Sequence, residues 1–131
     1  MSDREISVAT EEGVTTLKIE RQSRRNALSA SVVTELTEQF DRLSVDPGTR
    51  VIVLTGAGDS AFCAGGDIGD FQGADGMLGM HWARGAFVEL MLAMSHCSKP
   101  IIARVNGHAL GGGFGLMLAC DLVVAESGAK L

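Results

Sequence analysis

The sequence predicts an α/β fold with largely parallel strand pairing, and three observations carry that prediction. Two short apolar runs, Val51-Ile52-Val53-Leu54 and Ile101-Ile102-Ala103-Arg104-Val105, are rich in β-branched residues. Such runs suit strands of a parallel sheet covered on both faces. Each run leads into a glycine-dense loop and then into sequence of helical period. That recurrence of strand, loop and helix is the usual way of building such a sheet.

The elements follow in order. Ile6 and Val8, then Val14, Leu17 and Ile19, flank Glu11-Glu12-Gly13 and predict an amino-terminal hairpin with a polar outer face. Ser29 is placed to cap a helix in which Val32, Val33, Leu36, Phe40 and Leu43 recur at helical spacing, and Asp46-Pro47-Gly48 ends it. The run at 51–54 is the first buried strand, ending at Thr55-Gly56. Beyond Asp67, a second helix over about residues 78–96 gathers Trp82, Phe87, Leu90, Met91 and Met94 on one broad apolar face, closed by Lys99-Pro100. The strand at 101–105, a short helix from the triple glycine at 111–113 through Cys120, and a last strand Leu122-Val123-Val124-Ala125 complete the chain.

Composition narrows the function. At 131 residues and 46% hydrophobic, the chain can bury one core and is too short for two ordinary domains. A formal charge of -5 without any Lys/Arg run argues against a nucleic-acid surface and favours a small ligand. Cys63, Cys97 and Cys120 are odd in number and far apart, so neither a disulfide framework nor a metal site is expected. The start Met1-Ser2-Asp3-Arg4-Glu5 lacks a leader pattern and no apolar run approaches membrane length, so a soluble cytoplasmic protein with no membrane partner is expected.

The chemical clue lies in the two glycine loops, Ala61-Phe62-Cys63-Ala64-Gly65-Gly66-Asp67 and Asn106-Gly107-His108-Ala109-Leu110-Gly111-Gly112-Gly113. Glycine lets backbone N–H groups approach a ligand, and a helix start leaves such groups unpaired. Two loops that converge would grip one oxygen that gains negative charge. Taken singly, each loop is better explained by close packing of helix on strand.

In order, residue type and spacing, Arg24-Arg25-Asn26-Ala27-Leu28, residues 61–68, residues 106–114 and Cys120-Asp121-Leu122 together resemble the crotonase (enoyl-CoA hydratase/isomerase) superfamily. The resemblance implies a crotonase-like spiral of ββα units with an acyl-CoA thioester across it, coenzyme A being part of the substrate and no other cofactor being needed. It implies that Gly66 and Gly112 donate the oxyanion-hole N–H groups. Ala64, Gly66, Asp67 and Ile68 would line the thioester end, Leu110 and Gly112 would also bind the substrate, and Arg25, Ala27 and Leu28 would lie near the adenine and pantetheine. Arg24 and Arg25 are either partners of the CoA phosphates or solvated surface charges. Family members are about twice this length and form trimers or hexamers, so the fold is expected to be incomplete on its carboxy-terminal side, the alternative being a half-length protein that assembles differently.

One departure stands out. Where the family's hydratases carry their first catalytic glutamate this sequence has Gly115, and the second acid would fall beyond Leu131. Glycine cannot act as a general base. Asp67, Asp70, Glu89, Glu126 and His81 are the other candidates, none favoured by its place in the pattern, and His108 reads as a strand-end residue. Met77, Met80, Met91 and Met94 form either core or an adaptable acyl pocket. Isomerisation, decarboxylation and thioester hydrolysis therefore stand beside hydration, and a non-catalytic thioester-binding or assembly module is a further alternative. A dinucleotide-binding protein is a weaker one: Gly56-Ala57-Gly58-Asp59-Ser60-Ala61 matches GxGxxA after a strand, with Asp75 at about the ribose distance. Ser60 lacks the GxSxG elbow of a serine hydrolase.

Overall fold

A computed structural model describes residues 4–67 and 76–131. The amino-terminal hairpin pairs β1 (Ile6–Glu11) with β2 (Val14–Ile19) in antiparallel register. The turn between them is made by Glu12 and Gly13, both at positive φ. A single turn of 3-10 helix at Gln22–Arg24 follows, then α1 (Ala30–Ser44). Ser29 caps α1 as expected, its side chain accepting from the Val32 N–H. All five apolar residues assigned to the inner face of α1 are buried.

Next come β3 (Val51–Gly56), a short β4 (Ala61–Cys63), α2 (Gly76–His96), β5 (Ile101–Val105), β6 (His108–Ala109), α3 (Gly112–Leu118) and β7 (Leu122–Ala125). The main sheet runs β1-β2-β3-β5-β7, parallel from β2 onward, so it is mixed only at its hairpin edge. β4 and β6 form a separate parallel pair. α1 and α2 pack on each other, and the core gathers Leu36, Phe40 and Leu43 of α1 and Leu90 and Met94 of α2 over Leu17, Ile19, Ile52, Leu54, Ile101 and Ala103 of the sheet.

Two expectations need correction, and the edge strand adds a finding of its own. The apolar strands are not covered on both faces: in β3 the alternation is half-buried Val51 and Val53 against buried Ile52 and Leu54, and β5 exposes Arg104. One face carries the helices, and β-branched residues occupy the other without being sealed there. β7 forms where expected, yet all four of its residues are exposed at the sheet edge. Trp82 does not join the apolar face of α2; it is 67% exposed, with His81 edge-on beside it. Among the described residues the buried positions of α2 begin only at Leu90, so an aromatic at helical spacing before them gains no burial.

Polar side chains tie the loops to the sheet. Asn106 accepts from the Gly56 N–H at 3.0 Å and donates to the carbonyls of Gly58 (2.9 Å) and Ala61 (3.0 Å). Asn26, almost wholly buried, donates to the carbonyls of Ala57 and Ala61. Two amides from distant parts of the chain thus share the Ala61 carbonyl and fix the start of the first glycine loop.

Candidate oxyanion site and acyl cavity

The first loop leaves β4 at Cys63 and runs beside the segment before α1. Leu28 N–H donates to the Gly65 carbonyl at 2.7 Å and Asp67 N–H to the Leu28 carbonyl at 3.0 Å, an isolated parallel bridge between Leu28 and Gly66. This pairing uses the Gly65 carbonyl and the Asp67 N–H, on either side of Gly66, and turns the Gly66 N–H away from the bridge. The second loop leaves β6 and enters α3 at Gly112. Among the described residues, neither the Gly66 nor the Gly112 N–H donates a backbone hydrogen bond.

The loops meet. A Cβ placed on Gly112 would lie 3.8 Å from the Gly66 nitrogen, and one on Gly65 would lie 3.5 Å from the Gly112 nitrogen and 3.1 Å from the Leu110 carbonyl. Each unpaired N–H follows a glycine at positive φ, Gly65 at 105° and Gly111 at 55°. An L side chain is strained in that backbone region, so glycine is required at both positions to aim the donor that follows. Gly113 serves packing instead: a Cβ there would stand 2.0 Å from the Cys63 carbonyl oxygen.

Both donors open onto a cavity of about 400 Å³ lined by Leu28, Val33, Gly66, Gly112 and one face of α2. Met80, Ala83, Arg84, Phe87 and Val88 supply that face at three- and four-residue spacing. No carboxylate or histidine lines it among the described residues. Gly115, one turn after Gly112, lies against the wall, where a Cβ would meet only the Phe87 ring at 3.8 Å.

Of the residues expected in the site, Leu28, Gly66 and Gly112 line the cavity. Ala64 and Asp67 use their N–H groups in the fold, donating to Arg25 and Leu28 carbonyls. The Asp67 carboxylate pairs with Arg21 at 3.0 Å, and Arg21 also binds Glu5 and the Ala27 carbonyl, so Asp67 shapes the loop. Arg25 sits exposed at φ 53° beside Arg24, and Ala27 is buried under the loop. Leu110 is 42% exposed at the second loop, its N–H on the Cys63 carbonyl. Ile68, Asp70 and Asp75 lie outside the described residues. Glu89, Glu126 and His81 are exposed and line no part of the cavity, and His108 accepts from the Lys130 N–H at Nδ1. Met80 is cavity wall, Met94 is core and Met77 is exposed, so the methionines divide. Sequence reasoning missed Arg21, Arg84 and Val33, none of which stands in a glycine loop or beside one in sequence.

The dinucleotide alternative fails on local structure. After Gly56-Ala57-Gly58 the chain enters strand β4, so no helix start stands behind the glycines to receive a pyrophosphate.

The sequence profile of enoyl-CoA hydratase/isomerase matches residues 9–131. The chain belongs to that family. Its crotonase fold is equally plain in solved structures. An enoyl-CoA hydratase from Bacillus anthracis superposes with a TM-score of 0.91 at 34% identity, over 96% of this chain and 49% of that one. A Pseudomonas aeruginosa protein gives 0.90 at 35% identity, over 98% and 56%. An enoyl-CoA hydratase/carnitine racemase from Magnetospirillum magneticum gives 0.87 at 29% identity, over 95% and 47%. This crotonase-family chain therefore spans about half the length of the structures it matches. No helix among its described residues is long and apolar enough to cross a membrane.

Proposed function

We propose that this protein binds an acyl-CoA thioester and stabilises its enolate between the Gly66 and Gly112 N–H groups, contributing part of a single crotonase-like domain to a trimer or hexamer. The observation that carries the proposal is the convergence of two unpaired N–H groups, each behind a positive-φ glycine, at the mouth of an apolar cavity. When a proton or carboxyl group leaves the α-carbon, charge moves onto the thioester oxygen. Preorganised donors stabilise that charge by about 3 kcal/mol each, with no reorganisation at the moment of reaction.

The donors supply electrostatics and no proton transfer. Gly115 leaves the cavity without the acid a hydratase would use there, so a base must come from outside the described lining, or the reaction must generate the enolate without one. Isomerisation, decarboxylation and thioester hydrolysis are the reactions consistent with such a site, alongside hydration. The same absence favours a second reading, a thioester-binding module without turnover; conversion of an unsaturated or 3-hydroxyacyl-CoA by the purified protein would exclude it.

The test is native mass spectrometry with a non-hydrolysable acyl-CoA analogue. One analogue per chain, carried by trimers or hexamers, is the expected result; an unliganded monomer under the same conditions would sink the proposal. Gly112→Pro removes one donor, and in a variant that keeps its circular dichroism spectrum, retained binding and activity would exclude the oxyanion role.

A further inference from the structure

Arg84 is the only ionisable residue among the described lining of the cavity. It stands midway along the cavity face of α2, one turn after Met80 and one turn before Val88, with Ala83 and Phe87 beside it. It remains exposed, and it makes no hydrogen bond or ion pair with any described residue. Arg21 sets the contrast within the same molecule, since it is held by Glu5, Asp67 and a backbone carbonyl. An arginine kept in structure by its neighbours looks like Arg21; Arg84 has its donors unused.

A guanidinium stays charged at any working pH and cannot act as a general base, so its role in a cavity is to bind. Its fork of N–H donors matches the two oxygens of a carboxylate, and the surrounding apolar wall strengthens such a pair relative to water. Coenzyme A itself offers phosphates, but Arg24 and Arg25 lie outside the cavity and exposed, beside the segment that leads to Leu28. Arg84 borders the same cavity as Gly66 and Gly112, where the acyl group would be gripped, and does so from an exposed position. A neutral acyl chain offers the guanidinium no acceptor whereas a carboxylate on the chain does, and that difference gives the residue its discrimination.

We infer that Arg84 is a specificity-determining residue that reads a second carboxylate on the acyl group, so that the substrate is the CoA thioester of a dicarboxylic acid. The inference rests on the acyl-CoA reading above and refines it.

Two dethia analogues of equal chain length separate the two, glutaryl-CoA and pentanoyl-CoA with a methylene in place of sulfur, titrated by calorimetry. The protein is expected to bind the glutaryl analogue about tenfold more tightly, the worth of one charge-assisted pair at a partly exposed site. In Arg84→Met the two dissociation constants converge, and in Arg84→Lys part of the preference returns. Equal affinities in the unmodified protein overturn the inference and leave the acyl-CoA reading standing. A loss of the same factor for both analogues in Arg84→Met also overturns it, because the guanidinium would then serve the CoA phosphates. Binding of neither analogue sinks the acyl-CoA reading itself, and the inference with it.

Discussion

At the scale of single residues, three glycines that look alike in sequence do different work. Gly112 leaves an N–H open to the cavity, Gly113 makes room for the Cys63 carbonyl, and a Cβ on Gly115 would make only ordinary contact with the Phe87 ring. Gly113→Ala would force a Cβ into backbone and is expected to cost about 3 kcal/mol or more, whereas Gly115→Ala relieves a helix-interior glycine and should change stability by no more than about 1 kcal/mol, in the stabilising direction. Urea unfolding midpoints of the two variants check this contrast. Cys63 is buried and Cys120 half-buried, and burial dominates the thiol chemistry of both. Burial pushes Cys63 up to about 11, and burial followed by the nearby Asp121 charge pushes Cys120 up to about 12. At pH 8 the thiolate fraction of Cys63 is then about one in a thousand, and that of Cys120 lower still. Iodoacetamide at pH 8 should therefore modify Cys97 well before the other two in the native protein, and all three alike in urea, as peptide mass spectrometry would report. None of these differences is legible in a run of identical letters, because each depends on what the chain places next to the glycine or sulfur.

At the scale of elements, the strand and helix pattern was legible, and the joints between elements were not. The period of Val32, Val33, Leu36, Phe40 and Leu43 and the cap at Ser29 specify α1 without help from the rest of the chain. The hold of Asn106 on residues 56–61 spans about half a hundred positions and has no local signature. Asn106→Ala leaves the Gly56 N–H and the Gly58 carbonyl without that partner, and is expected to cost about 1–3 kcal/mol in thermal or urea unfolding. Asp121 does a similar job at the far edge, accepting from the Ile101 N–H at 2.7 Å and so setting the register of β7 on β5. The sequence placed Asp121 within a recognisable motif while saying nothing of this role. For Trp82 the pattern misled, since helical spacing records which residues share a face and not whether anything packs against it.

At the scale of the whole molecule, the sheet is graded in protection from its middle outward. β3 sits between β2 and β5 with Ile52 and Leu54 fully buried, whereas β7 ends the sheet with Leu122, Val123, Val124 and Ala125 all exposed. Hydrogen exchange read by mass spectrometry should find the amides of β7 exchanging well before those of β3, as expected where few buried contacts oppose local opening. Equal protection of the two strands would mean that β7 is covered in solution. The sequence by itself determined the α/β class, the order of the strands and helices, the family and the two glycine loops, because periodicity, capping and glycine spacing act over a few residues at a time. Only the tertiary structure decided that the two loops meet, that Asp67 belongs to Arg21, and that Arg84 enters the cavity wall. Those facts depend on how α2 and the loops come together across the sheet, and pairings between residues tens of positions apart leave no mark on local composition.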